Sequence, residues 1–197
     1  EGVSSPVARG GRAATFLKLL AKARRIVPEI AIRSNFIVGF PGETEEAFLE
    51  LLGFAKDAEF EHVGVFTYSR EEGTPAFGLG DPVPERTKQR RKRQILEAQQ
   101  KISRAKNQAY VGRVIEVLVE GAHEETELVL KGRHQGQAPE VDGNVLIVGG
   151  EPRIGVIQPV RITQAHAYDL VGEAVEGGAE AAVKAFEAGF KARKGQR

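Results

Sequence analysis

The spacing of apolar residues changes along this chain, and each change predicts a different element. From Arg12 to Val27, the residues Phe16, Leu19, Leu20, Ala23 and Val27 recur at three- and four-residue intervals. That spacing predicts an amphipathic helix, which Pro28 closes. Residues Glu1 to Gly11 are polar and glycine-rich and read as coil. Phe36 to Phe40 is a continuous apolar run of the length and β-branched content expected of a fully buried parallel strand, roughly Ala31 to Gly39. Pro41-Gly42 breaks it with a turn. Thr44 then suits a helix N-cap, with Glu45 and Glu46 in the first turn. Phe48, Leu51, Leu52 and Ala55 return to helical spacing, giving a helix from Thr44 to Ala58. A second apolar run, Val63 to Tyr68, predicts another strand. Helix, strand, helix, strand is the order of a right-handed parallel βαβ unit. Two parallel strands need neighbours and cover on both faces, so this segment is expected to be the end of a larger barrel.

Asp81-Pro82-Val83-Pro84 is a turn, and Glu85 to Gln108 reads as one long helix with Ile95, Ala98, Ile102 and Ala105 on its apolar face. From Val111 the period becomes two, with Ile115, Val117 and Val119 alternating with Val114, Glu116, Leu118 and Glu120. Further short strands are predicted over Glu127–Lys131, Asn144–Val148, Gly155–Thr163 and Tyr168–Val175. Turns at Asp142-Gly143, Gly149-Gly150 and Glu151-Pro152 separate them. This pattern predicts a small five-stranded antiparallel barrel of the oligonucleotide-binding (OB) class. Ala179, Val183, Phe186 and Phe190 give the tail an amphipathic helix. The fold class is therefore α/β plus all-β, divided as 1–83, the helix 84–108, the barrel 109–174 and the tail 175–197.

Composition narrows the chemistry. The chain has no Cys, which removes disulfides, thiolate catalysis and cysteine-ligated clusters from its own side chains. It also has no Met, so Glu1 is not expected to be a natural start. His62, His123, His134 and His166 show no metal-type spacing, and no metal site is expected. No run of about 18 apolar residues and no signal-peptide pattern is present, so no membrane span is expected; the chain is expected to be cytoplasmic and a monomer.

Charge is unevenly placed. Pro84 to Gln108 carries nine basic residues against two acidic. It reads either as a phosphate-contacting helix or as a solvated connector whose basic side chains cover a neighbour. The lack of interleaved aromatics favours the connector. Between Ala109 and Gly172, nine acidic residues oppose five basic ones. That balance repels phosphate and suits a basic protein partner, although it is also compatible with an ordinary surface.

Candidate site residues gather at the carboxyl ends of the two predicted strands, where α/β proteins bind ligands. One loop is Gly39 to Glu43 and the other Ser69 to Ala76. Gly39 and Gly42 serve either a tight turn or the close approach of a ligand. Arg33 and Asn35 are polar residues at the start of the first strand, and they either line the site or face outward.

Together, Arg9-Gly10, Ile37-Val38-Gly39-Phe40-Pro41-Gly42-Glu43-Thr44 and Tyr68-Ser69…Gly73-Thr74-Pro75-Ala76 resemble the carboxyl-terminal part of the radical S-adenosylmethionine domain of methylthiotransferases. The second domain resembles their TRAM barrel. Gln137-Ala138-Pro139-Glu140-Val141-Asp142-Gly143 and Tyr168-Asp169-Leu170-Val171-Gly172 resemble the branch that modifies an aspartate of a small-subunit ribosomal protein, rather than the branch that modifies transfer RNA. The resemblance implies a 4Fe-4S cluster and S-adenosylmethionine, a 5′-deoxyadenosyl radical and methylthio transfer to the β-carbon of the target aspartate. It implies that Gly39 and Gly42 approach the adenosyl group, that Arg33, Asn35, Tyr68 and Ser69 line the same pocket, and that Arg9 reaches the methionine carboxylate. Glu140, Asp142, Tyr168 and Asp169 would dock the basic ribosomal protein. The family's Cys-x-x-x-Cys-x-x-Cys triad is absent here, so the chain by itself is expected to be inactive. The alternatives are a non-catalytic module that binds RNA or a ribosome through the barrel and basic helix, and a relative that modifies transfer RNA.

Overall fold

The computed structural model describes residues 13–177; Arg9 and the tail helix lie outside the described residues. Contacts divide the chain into two units, Glu1–Ser103 and Arg104–Arg197.

In the first unit, helix α1 (Ala13–Ile26) and strand β1 (Arg33–Val38) precede helix α2 (Glu45–Ala58) and strand β2 (His62–Thr67). A short 3-10 helix, Pro75–Leu79, follows, and helix α3 (Glu85–Gln108) begins in this unit and ends in the second. The strands β1 and β2 pair in parallel, from Arg33 opposite His62 to Val38 opposite Thr67, as a strand–helix–strand crossover requires. Thr44 caps α2, its hydroxyl accepting from the Ala47 amide at 3.2 Å. At the other end of α2, the Arg24 guanidinium donates to the carbonyls of Ala58 (2.8 Å) and Glu59 (2.7 Å), so a basic side chain of α1 satisfies carbonyls that the helix leaves open.

The core of this unit is Phe36, Val38, Phe48, Ala55, Ala58, Phe60, Val65 and Ile95. Rings of Phe36, Phe54 and Phe60 meet edge to face at 6.0–6.4 Å. Three expectations are corrected here. First, β1 is buried on one face only: Phe36 and Val38 point into the core, while Ile37 is 54% exposed and its register partner Phe66 56% exposed. A continuous apolar run cannot reveal which of its two faces is covered. Second, α1 packs through Leu17 and Leu20, whereas Leu19 and Val27 are exposed and Phe16 is only partly covered, touching Phe54 at 6.3 Å. Third, α3 buries Lys88, Arg91, Ile95, Gln99 and Ser103 rather than an apolar stripe.

In the second unit, β3 (Val114–His123), β4 (Thr126–His134), β5 (Val145–Ile147), β6 (Ile157–Ala165) and β7 (Leu170–Ala174) close a barrel in the order β3-β4-β5-β7-β6. The barrel is not wholly antiparallel, because β5 and β7 run parallel. Five strands in a ring cannot alternate direction all the way round, so one parallel pair is obligatory. Its position here is that of the OB fold. The core is filled by alternate residues: Val117 and Val119, Val145 and Ile147, Val160 and Ile162, and Leu170 with Ala174.

Candidate functional site

Parallel pairing puts the carboxyl ends of β1 and β2 side by side, and the Tyr68 amide extends the ladder to the Val38 carbonyl at 2.9 Å. Gly39 follows β1 with φ +79° and Gly42 closes the turn with φ +90°, both in the left-handed region where a side chain is strained. They differ in surroundings. A Cβ on Gly42 would meet nothing, whereas one on Gly39 would lie 2.4 Å from Lys88 Cγ.

The loop between β1 and α2 is fastened by Glu43. Its Oε1 accepts from the Gly39 amide at 3.0 Å and from Arg91 Nη1 at 2.5 Å. Both side chains are buried. Arg91 Nη2 also reaches Glu45 Oε2 at 3.1 Å, and the guanidinium lies over the Phe48 ring at 5.3 Å. This hydrogen bond, from Arg91 before Arg90, holds the Glu45 carboxyl below its usual range. One turn earlier on α3, Lys88 Nζ donates to the Tyr68 carbonyl (2.9 Å) and Asp81 (2.6 Å). Lys88 is only 2% exposed.

The residues expected to line a pocket divide into groups. Arg33 and Asn35 are exposed, on the sheet face that also carries Ile37, Gly64 and Phe66. The Asn35 carboxamide fills the space a Cβ on Gly64 would need, at 2.3 Å. Tyr68 is buried: its hydroxyl donates to the Ala76 carbonyl at 3.2 Å and its ring meets Phe40 edge-on at 5.3 Å. Tyr68 therefore ties the two rim loops together. Ser69 is exposed and donates to Glu71 at 2.7 Å. The open face thus offers an apolar floor, Ile37 and Phe66, with an amide beside it and a polar rim above. Among the described residues, no group of three or more His, Cys, Asp or Glu gathers, and with no thiolate the donor set does not fit an iron–sulfur cluster.

The four barrel residues come together at one end, on the β4–β5 and β6–β7 loops. The Asn144 amide donates to Asp169 Oδ1 at 2.8 Å, and Gly143 sits so close to the Tyr168 carbonyl that a Cβ would lie 2.0 Å from it. Asp142 Oδ2 accepts from the Ala138 amide at 2.7 Å. These two carboxylates therefore hold loop backbone, while Glu140 and Tyr168 are exposed. Buried Gln137 fixes the loop from inside, donating to the Gly143 carbonyl at 2.6 Å and accepting from the His134 amide at 3.0 Å. Among the described residues, no helix is long and apolar enough to cross a membrane.

Sequence reasoning passed over Glu43, Lys88, Arg91 and Gln137. Lys88, Arg91, Ile95 and Gln99 do recur at helical spacing, but a stripe that is mostly polar reads as solvated.

Residues 111–175 match the family model of the TRAM domain. The chain is 50% identical over 162 residues to the ribosomal protein uS12 methylthiotransferase RimO of Syntrophotalea carbinolica, covering 82% of this chain and 36% of that protein. It is 52% identical over 166 residues to the RimO of Anaeromyxobacter sp. (strain K), covering 84% and 35%. For the RimO of Myxococcus xanthus the figures are 51% over 167 residues, 84% and 35%. The chain thus spans about a third of the length of these relatives. Over that span it is similar to the ribosomal protein uS12 methylthiotransferases, and its residues 111–175 match the TRAM domain.

Proposed function

We propose that this chain is part of a cytoplasmic enzyme that adds a methylthio group to the β-carbon of an aspartate in ribosomal protein uS12. The observation that carries the reading is the extent of the match. Half-identity to a uS12 methylthiotransferase runs over 162 residues, more than either unit contains, so it embraces both the strand ends and the barrel. In this reading the open face of β1 and β2 holds S-adenosylmethionine. Ile37, Phe66, Asn35 and Arg33 would hold it, with the Gly39–Gly42 turn and the Tyr68–Ser69 segment at the strand ends. S-adenosylmethionine, when bound, would be the source of the 5′-deoxyadenosyl group, the electron for its cleavage coming from a reduced cluster that this chain's side chains do not ligate, and these residues would orient it. No cluster is held by this chain's side chains.

The barrel is assigned to docking uS12, with Tyr168 and Glu140 as its exposed contacts and Asp142 and Asp169 shaping the loops. Supporting this is the excess of acidic over basic residues between Ala109 and Gly172, which suits a basic ribosomal protein. Titrating uS12 into the isotope-labelled chain is expected to shift the amides of Glu140, Tyr168 and their neighbours. Shifts confined to the first unit, or none, would overturn the assignment. Supplied with iron, sulfide, a reductant and S-adenosylmethionine, the purified chain is expected to release no 5′-deoxyadenosine.

A specific observation supports an anionic contact through α3. With Lys88 and Arg91 turned inward, the exposed Arg86, Arg90, Arg93, Lys101 and Arg104 fall along the opposite side of the helix. Arg90 is partly engaged by Glu45 at 2.8 Å. If this stripe meets ribosomal RNA beside uS12, binding of a labelled RNA weakens steeply with salt, and Arg86→Glu with Lys101→Glu flattens the slope by about one each. A slope unchanged in the double variant would remove the stripe from the account.

A further inference from the structure

The two buried cations of α3 act on the same rim from different sides. Lys88 touches both strand ends at once: its stem occupies the space beside Gly39, and its ammonium binds the carbonyl of Tyr68, the residue following β2. Arg91 binds the Glu43 carboxylate that also accepts the Gly39 amide, and so holds the loop after β1. Glu43, Lys88 and Arg91 are each less than 10% exposed. A buried ion pair of this kind is a weak source of net stability, because desolvation offsets most of the attraction. A helix seeking only to cover the sheet would do as well with apolar residues, provided the carboxylate partners were replaced with the cations. What the cations supply, and apolar residues cannot, is direction: Lys88 donates to the Tyr68 carbonyl as well as Asp81, and Arg91 to Glu43 as well as Glu45.

We infer that Arg91 and Lys88 are positioning residues that fix the carboxyl ends of β1 and β2 relative to each other. The functional part of this inference rests on the proposed S-adenosylmethionine face. Arg91 sets the Gly39–Glu43 loop through Glu43, and Lys88 sets the Tyr68 carbonyl while pressing on Gly39. Neither side chain contacts the cofactor in this account. They act through the loops that do. Gln99 continues the device at the other end of β2, donating to the Phe60 carbonyl at 2.8 Å, while Ile95 fills the apolar middle. The buried stripe of α3 is thus a row of anchors, Arg91 to the loop after β1 and Lys88 and Gln99 to the two ends of β2.

The experiment is amide hydrogen exchange, residue by residue, on the purified full chain and on Arg91→Gln, Arg91→Lys and Lys88→Met. Arg91→Gln is expected to speed exchange at Gly39 and Glu43 about 10- to 100-fold, the equivalent of one lost charge-assisted hydrogen bond, and to leave Val119 and Ile162 in the barrel unchanged. Arg91→Lys keeps one donor to Glu43 and is expected to restore Gly39 more than half-way on a logarithmic scale. Lys88→Met keeps the stem volume and is the variant least able to disturb folding. It is expected to speed exchange at Tyr68 while Gly39 stays protected. A uniform acceleration across β1 and β2 in either variant, or no change at Gly39 and Tyr68, overturns positioning in favour of general packing.

The second readout is a titration with S-adenosylhomocysteine. The wild type is expected to show shifts at Gly39, Phe66 and Tyr68, and Arg91→Gln to weaken that response at least tenfold, with Arg91→Lys recovering it. Shifts equal in wild type and Arg91→Gln overturn the inference. A wild type with no response refutes the cofactor face itself, a failure kept distinct because the exchange pattern still decides whether the cations set the strand ends.

Discussion

Replacing Gly39 by Ala asks two things of the structure at once. The residue sits at φ +79°, where a Cβ costs about 1–2 kcal/mol. The new Cβ also falls 2.4 Å from Lys88 Cγ. That carbon is near the root of a side chain whose far end is held by Tyr68 and Asp81, so it cannot swing away freely. Such overpacking costs about 1–3 kcal/mol. Gly42→Ala is the internal control. Its φ is +90°, so the backbone strain is comparable, but nothing lies within 4 Å of the added carbon. The gain from a stiffer unfolded chain is about 0.4–1 kcal/mol and is common to both. Gly39→Ala is therefore expected to destabilise the first unit by about 1–3 kcal/mol more than Gly42→Ala does. Urea unfolding followed through the Val38 and Val65 amides reports on that unit alone. In a Lys88→Ala background the excess is expected to vanish. Equal costs for the two alanines, within about 0.5 kcal/mol, would refute the close contact and with it the packing of Lys88 on the strand end.

Arg91→Leu leaves Glu43 buried without its charge partner and is expected to cost about 3–5 kcal/mol in the same unfolding assay; a cost under about 1 kcal/mol would contradict the buried pair. Glu45 has a folded-state pKa below its ordinary 4.5, so the stability it contributes is present above that value and is lost as pH falls through the lower folded value. The thermal midpoint of the first unit is thus expected to drop in that acid window, and less so in Glu45→Gln; identical pH profiles would count against the Arg91–Glu45 contact. Gln137→Ala removes the link between the His134 amide and the Gly143 carbonyl, so a loss of about 1–3 kcal/mol from the barrel is expected by calorimetry, with faster exchange at Asn144. No change there would mean that Gln137 does not hold the β4–β5 loop.

Much of this architecture was legible where one physical cause acts alone. Thr44 caps α2 because its hydroxyl can replace a missing helix acceptor, and the sequence around it allows little else. The two-residue alternation of Val117 and Val119 announces a barrel strand because only one face meets the core. Legibility failed where two causes compete. Phe36 to Phe40 is apolar on both sides, yet only one side is covered among the described residues, and Ile37 gives no local sign of which. Lys88 and Arg91 look like solvated members of a basic helix until Glu43, Asp81 and the Tyr68 carbonyl are brought to them from far along the chain. The parallel β5–β7 pair is a property of the closed ring rather than of either strand. At the barrel end, Asp142 and Asp169 are as acidic as Glu140 in sequence, but their carboxylates are engaged by Ala138 and Asn144 amides.

The most direct test of the central claim is a binding titration of the purified chain with ribosomal protein uS12, repeated with an RNA of matched length and at rising salt. The account predicts saturable binding to uS12 that weakens with salt and is reduced by Tyr168→Ala and Glu140→Lys in the barrel. No binding to uS12, or binding untouched by both substitutions, would contradict it.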